Sequence, residues 1–406
     1  MKGAKGFGLV TACALCAFLI YAVSSGIRSN LALLIEPLSG KGVLSYAQIS
    51  LCAAAGQFVY GLSQLVFGLM CAKYGVRAVL LTGTALMTAG LSLVPLSSSA
   101  FTLMLSLGIM FHAGTGACAF GLVMVAMDAL CGGKTPSWIP GFVSAGTGAG
   151  TIVLPPVISY LVSAIGISAT FATMGALCAI ILPLCLYLAP NGTGVTRNQN
   201  QGHGDPGILY SASRSGIFII VCAVFAIDGF HMGIIQTHFF SELKIMGLSD
   251  KLSSFAYSLI GASTMAGAII CGFLLKRASA RAILARLFLA RVLIALSLAL
   301  FLPQSAAALL FISFMLGLTM DASVAPVAAM VKSEFGFKAF GVLFGAVYLC
   351  HQAGGFLSTA LGGLVAGKNA VALIWGSDAL ICAAAFLMLT LMSLRLSHKQ
   401  GALASL

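Results

Sequence analysis

Acidic side chains are scarce in this chain: nine Asp and Glu in 406 residues, against twenty-one Lys and Arg, with only 7% charged residues in all. A water-soluble domain carries about 25%, so that class is excluded, and 60% hydrophobic residues with a mean hydropathy of +1.07 agree. Polar stretches are scarce too. Apolar runs long enough to cross a bilayer, roughly 20 residues each, follow one another along the whole sequence. Paired metal-ligand motifs are missing: the twelve cysteines are scattered singly. Cys13 and Cys16 form a Cys-x-x-Cys inside an apolar run with no second pair, so no metal and no cofactor is expected. No nucleophile elbow or loop-borne acid–base pair is present, which argues against an enzyme. The net charge of +12 sits in short loops without interleaved aromatics, so no nucleic-acid partner is expected. What remains is an all-α integral membrane protein. Its basic, then apolar, amino end reads as a first spanning helix, because the apolar run is too long for a signal peptide.

The apolar runs predict twelve transmembrane helices, near 8–29, 46–71, 77–97, 100–128, 137–163, 168–189, 215–240, 252–275, 282–302, 305–330, 339–366 and 370–394. The one long polar stretch, Pro190 to Arg214, splits them into a six-helix bundle over 1–190, a linker over 191–214 and a second six-helix bundle over 215–406. With the amino end inside, fifteen Lys and Arg fall on the inner side. Only Arg28, Lys41, Lys244, Lys251 and Lys368 fall on the outer side. That bias predicts both termini cytoplasmic, in an inner (cytoplasmic) membrane. Asn191-Gly-Thr193, a glycosylation pattern, then lies in the cytoplasm and is discounted. Arg291 is left inside a span; with Arg281 and Arg286 it is expected to snorkel to the inner surface.

The halves repeat one another. Gly68-Leu-Met-Cys-Ala72-Lys73-Tyr-Gly75-Val-Arg77 follows span two, and Gly272-Phe-Leu-Leu-Lys276-Arg277-Ala-Ser-Ala-Arg281 follows span eight. Span five carries Gly146 and Gly150 with an expected break at Pro155-Pro156; span eleven carries Gly341, Gly345, Gly354 and Gly355. Small residues allow close helix packing, and Gly–Pro breaks allow the bending that rocking bundles need. Two six-helix halves with a basic turn after span two resemble the major facilitator superfamily over the whole chain. The family turn usually reads Gly-x-x-x-Asp-Arg/Lys-x-Gly-Arg/Lys. Gly68, Lys73, Gly75 and Arg77 match it, whereas Ala72 stands where the Asp belongs, so the usual carboxylate latch is absent or relocated. Tyr21 to Pro37, Tyr46 to Ser50, Gly141 to Pro156, Gly229 to His238 and Gly341 to Gly355 resemble bacterial monocarboxylate and organic-anion porters. Eukaryotic members of that group carry an Asp and an Arg in span eight; Gly261 to Gly267 has no charge.

The resemblance implies that spans 1, 4, 7 and 10 line a central cavity. Ionisable side chains are costly in hydrocarbon, roughly 2.5–3.5 kcal/mol each on insertion scales, and here they do gather in those spans. Arg28, His112, Asp228, His231 and Asp321 are there, with His238 nearer the outside. Asp228, His231 and His238, three and then seven residues apart, share one helical face within roughly 80° of arc. Arg28 is expected to hold a substrate carboxylate by forked hydrogen bonds, or else to snorkel. His112, His231, His238, His351 and Gln352 are expected to donate to substrate; helix–helix bonding is the bland alternative for His112, His351 and Gln352. Asp228, sharing a proton with His231, is the first candidate for proton coupling and Asp321 the second, the latter within reach of Arg28 or a histidine. Asp128 is expected to face the loop around Lys134, and Asp378 to be peripheral packing.

Together these readings predict a secondary transporter moving a small monocarboxylate-like organic anion by alternating access, coupled to protons and acting as a monomer in the lipid bilayer. Two rivals follow from the same features. A proton-antiport exporter of amphipathic compounds normally has Gly-x-x-x-Gly-Pro-x-x-Gly-Gly in span five, and Pro155-Pro156 lacks the trailing glycines. A non-transporting membrane sensor normally carries an appended soluble domain, and the loops here are short.

Overall fold

The computed structural model describes residues 7–132, 135–136, 138–189, 206–301, 305–365 and 368–404. Sixteen α-helices follow in order: α1 (Phe7–Ser29), α2 (Ala32–Ser39), α3 (Tyr46–Tyr74), α4 (Val76–Leu93), α5 (Ala100–Leu103), α6 (His112–Ala117), α7 (Phe120–Leu130) and α8 (Ile139–Leu188), then α9 (Pro206–Ser213), α10 (Gly216–Thr237), α11 (Phe239–Ile245), α12 (Asp250–Leu274), α13 (Ala280–Phe301), α14 (Ala306–Met320), α15 (Val324–Leu364) and α16 (Lys368–Ala404). No strand occurs among the described residues. A π-helical segment, Met104–Phe111, joins α5 to α6, and a 3-10 turn, Asp321–Ser323, joins α14 to α15.

Ten described segments are long and apolar enough to cross a membrane. The longest, Ile139–Leu188, has 50 residues, about 75 Å of helix against a hydrocarbon core of about 30 Å. It is two spans joined at Gly166, whose φ of +77° is open to glycine and strained for other residues. Gly336, at φ +75°, divides α15 in the same way. These two divisions make twelve crossings. Span five does not break at Pro155-Pro156 as expected: the helix continues through both prolines and turns only at Gly166. The expected linker lies outside the described residues from 191 to 205, with Asn191, Thr193, His203 and Asp205. Its remainder includes α9. Lys2, Lys5, Lys134 and Arg197 also lie outside.

Polar caps and small residues set the packing. Ser45 starts α3 with a reciprocal capping box: its Oγ accepts from Gln48 N–H, and Gln48 Oε1 accepts from Ser45 N–H. In the first half, α1 crosses α8 where a Cβ on Gly146 would sit 2.8 Å from the Phe18 carbonyl, and one on Gly150 would collide with the Ala22 carbonyl. In the second half, α10 crosses α15 with Gly229 against the His351 carbonyl and Gly354 against the Ala226 carbonyl. These are the small-residue crossings the glycine pattern predicted. The halves meet along α3 with α15 and α8 with α12.

Candidate functional site

Arg28 occupies the last turn of α1 and is only 8% exposed, so it is not a headgroup snorkel. One guanidinium nitrogen donates to Gln57 Oε1 on α3 at 2.9 Å and to Gln236 Oε1 on α10 at 3.3 Å; Gln57 also donates to Gln236 at 3.3 Å. The guanidinium lies 4.2 Å from the centroid of the Tyr60 ring, a cation–π contact. All of these partners are neutral, Nε has none, and no described carboxylate makes an ion pair with it. Tyr21, Tyr60 and Tyr348 all lie within the electrostatic reach of both Arg28 and Asp321. Gln57 and Tyr60, three residues apart on one face of α3, were missed by sequence reasoning; that spacing was the available signal.

A second buried cation is paired. Arg291, expected to snorkel, is instead fully buried on α13. It donates to Asp228 Oδ1 on α10 and, through its other terminal nitrogen, to the carbonyls of Thr319 and Met320 at the end of α14. Asp228 Oδ2 lies 3.2 Å from His351 Nε2, an ion-pair distance without hydrogen-bond alignment. Asp228 is therefore compensated inside the second half. The two carbonyls that Arg291 holds belong to the turn before the 3-10 segment at Asp321, where the α-helical ladder is interrupted. Asp321 is half-buried, and its carboxylate has no hydrogen-bond or ion-pair partner among the described residues. It lies within the field of Asp228, His351, Arg28 and Arg291.

The shared face predicted for Asp228, His231 and His238 diverges in space. His231 turns to α16, with Nδ1 2.7 Å from Asp378 Oδ2, and does not meet Asp228. Asp378 is thus a hydrogen-bonding partner of His231 rather than plain packing. α10 ends at Thr237, and His238 leaves the helical face as its C-cap. Its Nε2 lies 2.9 Å from the Thr359 carbonyl, so that nitrogen carries the proton and Nδ1, at 2.8 Å, accepts from Tyr46 O–H. His112 is fully buried; its Nδ1 bonds the Leu107 carbonyl at 2.8 Å within the π-helical turn, while Nε2 has no partner. His351 is stacked on Tyr348. Gln352 packs against Gly61 of α3, where a Cβ would sit 2.6 Å from its Cγ. Asp128 accepts from Thr135 at 2.8 Å.

The basic turn takes the expected form without a carboxylate. Gly75, at φ +83°, alone separates α3 from α4; Lys73 is exposed and 5.0 Å from the Tyr74 ring centroid. Gly68 has open space around it, and Arg77 is half-buried. Charge pairing lies at the opposite end. Lys244 on α11 reaches Glu36 on α2 at 2.8 Å and Asp250 at 3.0 Å. Partial burial lowers the Lys244 pKa, and the bonds to Glu36 and Asp250 outweigh it and leave it raised. The polar bonds that cross between the halves among the described residues are Arg28–Gln236, Gln57–Gln236, Tyr46–His238, Glu36–Lys244 and Ser258 to the Ile152 carbonyl. Two of them, Tyr46–His238 and Glu36–Lys244, tie α3 and α2 of the first half to the end of α10 and to α11 of the second.

Comparison with known proteins bears on this arrangement. The Major Facilitator Superfamily model matches residues 13–359. The chain belongs to that superfamily and is a multi-pass membrane transporter, not an enzyme. Its fold is similar to that of a mutant form of the nucleoside transporter NupG, with TM-score 0.79 and 13% identity, over 95% of this chain and 99% of that one. A second NupG structure gives TM-score 0.75 and 12% identity, over 94% and 99%. Neither is a monocarboxylate porter, and likeness at this identity concerns the fold alone. No curated protein matches the chain.

Proposed function

We propose that this transporter carries a small organic anion of monocarboxylate type by alternating access, coupled to protons. The observation that carries the reading is Arg28, a buried cation with only neutral partners and an unbonded Nε among the described residues. Holding a charge out of water without a counter-charge is costly, and a substrate carboxylate would supply one through charge-assisted bonds. Gln57, Gln236 and Tyr60 position the guanidinium.

Asp321 is the better coupling group. It is half-buried, without an ion-pair partner among the described residues and within the field of Arg28, whereas Asp228 already has Arg291 and serves to hold it. Arg291 in turn grips the carbonyls before the 3-10 turn and so positions Asp321. With both termini cytoplasmic in the inner membrane, the α2–α11 end held by these contacts faces outward, opposite the cytoplasmic side from which the site would be reached. Rocking of a 1–190 bundle against a 215–406 bundle, through the glycine crossings, would break the Tyr46–His238 and Glu36–Lys244 contacts and open the other side.

A second reading is a neutral, hydrogen-bonding cargo such as a nucleoside. The paired amides of Gln57 and Gln236 favour it, and the similar folds are those of a nucleoside transporter. Proteoliposomes offered labelled C2 to C6 organic acids and nucleosides, with and without an imposed pH gradient, separate the two. Saturable uptake of an acid supports the anion reading; uptake of nucleosides alone overturns it. For coupling, Asp321→Asn is expected to keep exchange of labelled substrate and lose accumulation driven by the pH gradient. Wild-type accumulation in that variant removes Asp321 from the role.

A further inference from the structure

Between α12, α13 and α14 a groove of about 550 Å³ opens on the outside of the helical bundle, with Leu293 and Phe311 on its rim 63% and 62% exposed. It follows α13 from Ile283 to Ser297, about 21 Å by helical rise. That is deeper than one leaflet's share, roughly 15 Å, of the hydrocarbon core. Its lining is apolar but for Ser297, Thr319 and Cys271, and both hydroxyls are bonded within their own helices, Ser297 to the Ile294 carbonyl and Thr319 to the Leu316 carbonyl. The groove thus offers no free hydroxyl to a polar ligand. It suits a hydrocarbon chain.

One end is strongly basic. α12 stops at Leu274 and α13 begins at Ala280; both Leu274 and Ile283 line the groove. Lys276, Arg277 and Arg281 lie two or three residues from them. Lys276 and Arg277 are exposed, and no ion pair is made by any of the three among the described residues. Lys276 Nζ sits 5.2 Å from the Phe273 ring centroid. An apolar slot ending in unpaired cations at membrane-surface depth matches a phosphodiester head group with an acyl chain behind it.

The geometry points to a binding site for an anionic phospholipid, with its head group on Lys276, Arg277 and Arg281 and one acyl chain in the α12–α13–α14 groove. The inner wall gives this site a mechanical connection. Thr319 and Ala322 line the groove. The Thr319 carbonyl is one that Arg291 holds, and Ala322 belongs to the 3-10 turn with Asp321. A chain seated there lies directly against the segment that presents Asp321. The site stands independently of which substrate is carried.

The test is native mass spectrometry of the purified full-length chain in detergent with equimolar dioleoyl phosphatidylglycerol and dioleoyl phosphatidylcholine. The wild type is expected to retain phosphatidylglycerol over phosphatidylcholine by at least about fivefold. The preference should vanish in Lys276→Gln/Arg277→Gln/Arg281→Gln and survive in Lys73→Gln/Arg77→Gln, which alters the repeat-related turn. Ala290→Phe, which fills the groove and keeps the cations, should lose the retained lipid. If that variant does not accumulate, Leu293→Trp provides a second measurement: brominated phosphatidylglycerol should quench the added indole more than brominated phosphatidylcholine does. Equal retention or equal quenching by the two lipids, or an unchanged preference in the triple variant, overturns the proposal.

Discussion

Arg28 and Arg291 are both buried, yet their surroundings are opposite in kind. Arg291 has a carboxylate, two backbone carbonyls and a histidine beyond the carboxylate, all from the second half of the chain. Arg28 has two amides and an aromatic face, contributed by both halves, and no counter-charge among the described residues. A cation fully compensated inside one rigid unit has nothing left to offer a ligand, and its removal strands a partner. A cation held by neutral groups drawn from both halves keeps most of its field available. In a membrane interior the company of a charge, more than its presence, separates a structural ion pair from a binding group.

The contrast is open to attack. Arg291→Met is expected to have the largest effect on stability, a loss of roughly 3–5 kcal/mol, because Asp228 is left buried without its partner. A thermal melt in detergent measures it, and adding Asp228→Leu should recover most of the loss. Arg28→Met strands no carboxylate and should melt within about 1 kcal/mol of the wild type. Equal losses in the two arginine variants would erase the distinction. Next in size, Arg28→Lys replaces a planar fork by a point charge. It is expected to weaken apparent substrate affinity by about 10- to 100-fold, the loss of a charged hydrogen bond of about 1.5–3 kcal/mol, read as the half-saturation of uptake in proteoliposomes.

A carboxylate extends the comparison. Glu242 on α11, beyond the end of the crossing segment Gly216–Thr237, is 4% exposed and, in contrast to Asp228, pairs with the indole N–H of Trp375 at 2.7 Å. Burial pushes its pKa up from 4.5 to about 8, against the lowering by the Trp375 hydrogen bond. The folded chain then holds a proton that the unfolded chain has released, so stability is greatest below about pH 4.5 and declines as pH rises toward 8. Between pH 6 and pH 7 the expected fall is up to about 1.4 kcal/mol, and Glu242→Gln should flatten it. A melting temperature that rises over that interval with Glu242 present contradicts the assignment. Smallest of all, Lys244→Gln removes a half-exposed bridge to Glu36 and Asp250 and should cost less than about 1 kcal/mol. A loss as large as that of Arg291→Met would mean that the Lys244 bridge carries the fold.

Much of this was legible from the residues. The apolar runs located the spans because a bilayer leaves a chain few alternatives to helices of about 20 residues. The scarcity of charge made each mid-membrane ionisable group conspicuous, and Arg28, His112, Asp228, His231 and Asp321 were identified that way. Their partners were not legible. Helical spacing put Asp228, His231 and His238 on one face, but a face about 80° wide adjoins more than one neighbouring helix. Asp228 meets α13, His231 meets α16, and His238 leaves the face where α10 ends. Gln57 and Tyr60 drew no notice because neutral side chains are not conspicuous in an apolar helix.

The residues alone determined that this chain is a helical membrane protein with superfamily architecture, because composition, run length and the basic turn are local properties set by the bilayer as solvent. Only the tertiary structure decided which buried charges are spent on each other and which remain free. That choice depends on which helices become neighbours and on a few ångströms of side-chain reach. Pairing Asp228 with Arg291, 63 positions apart, while leaving Arg28 and Asp321 without ion-pair partners among the described residues, is a fact about space that no local pattern encodes.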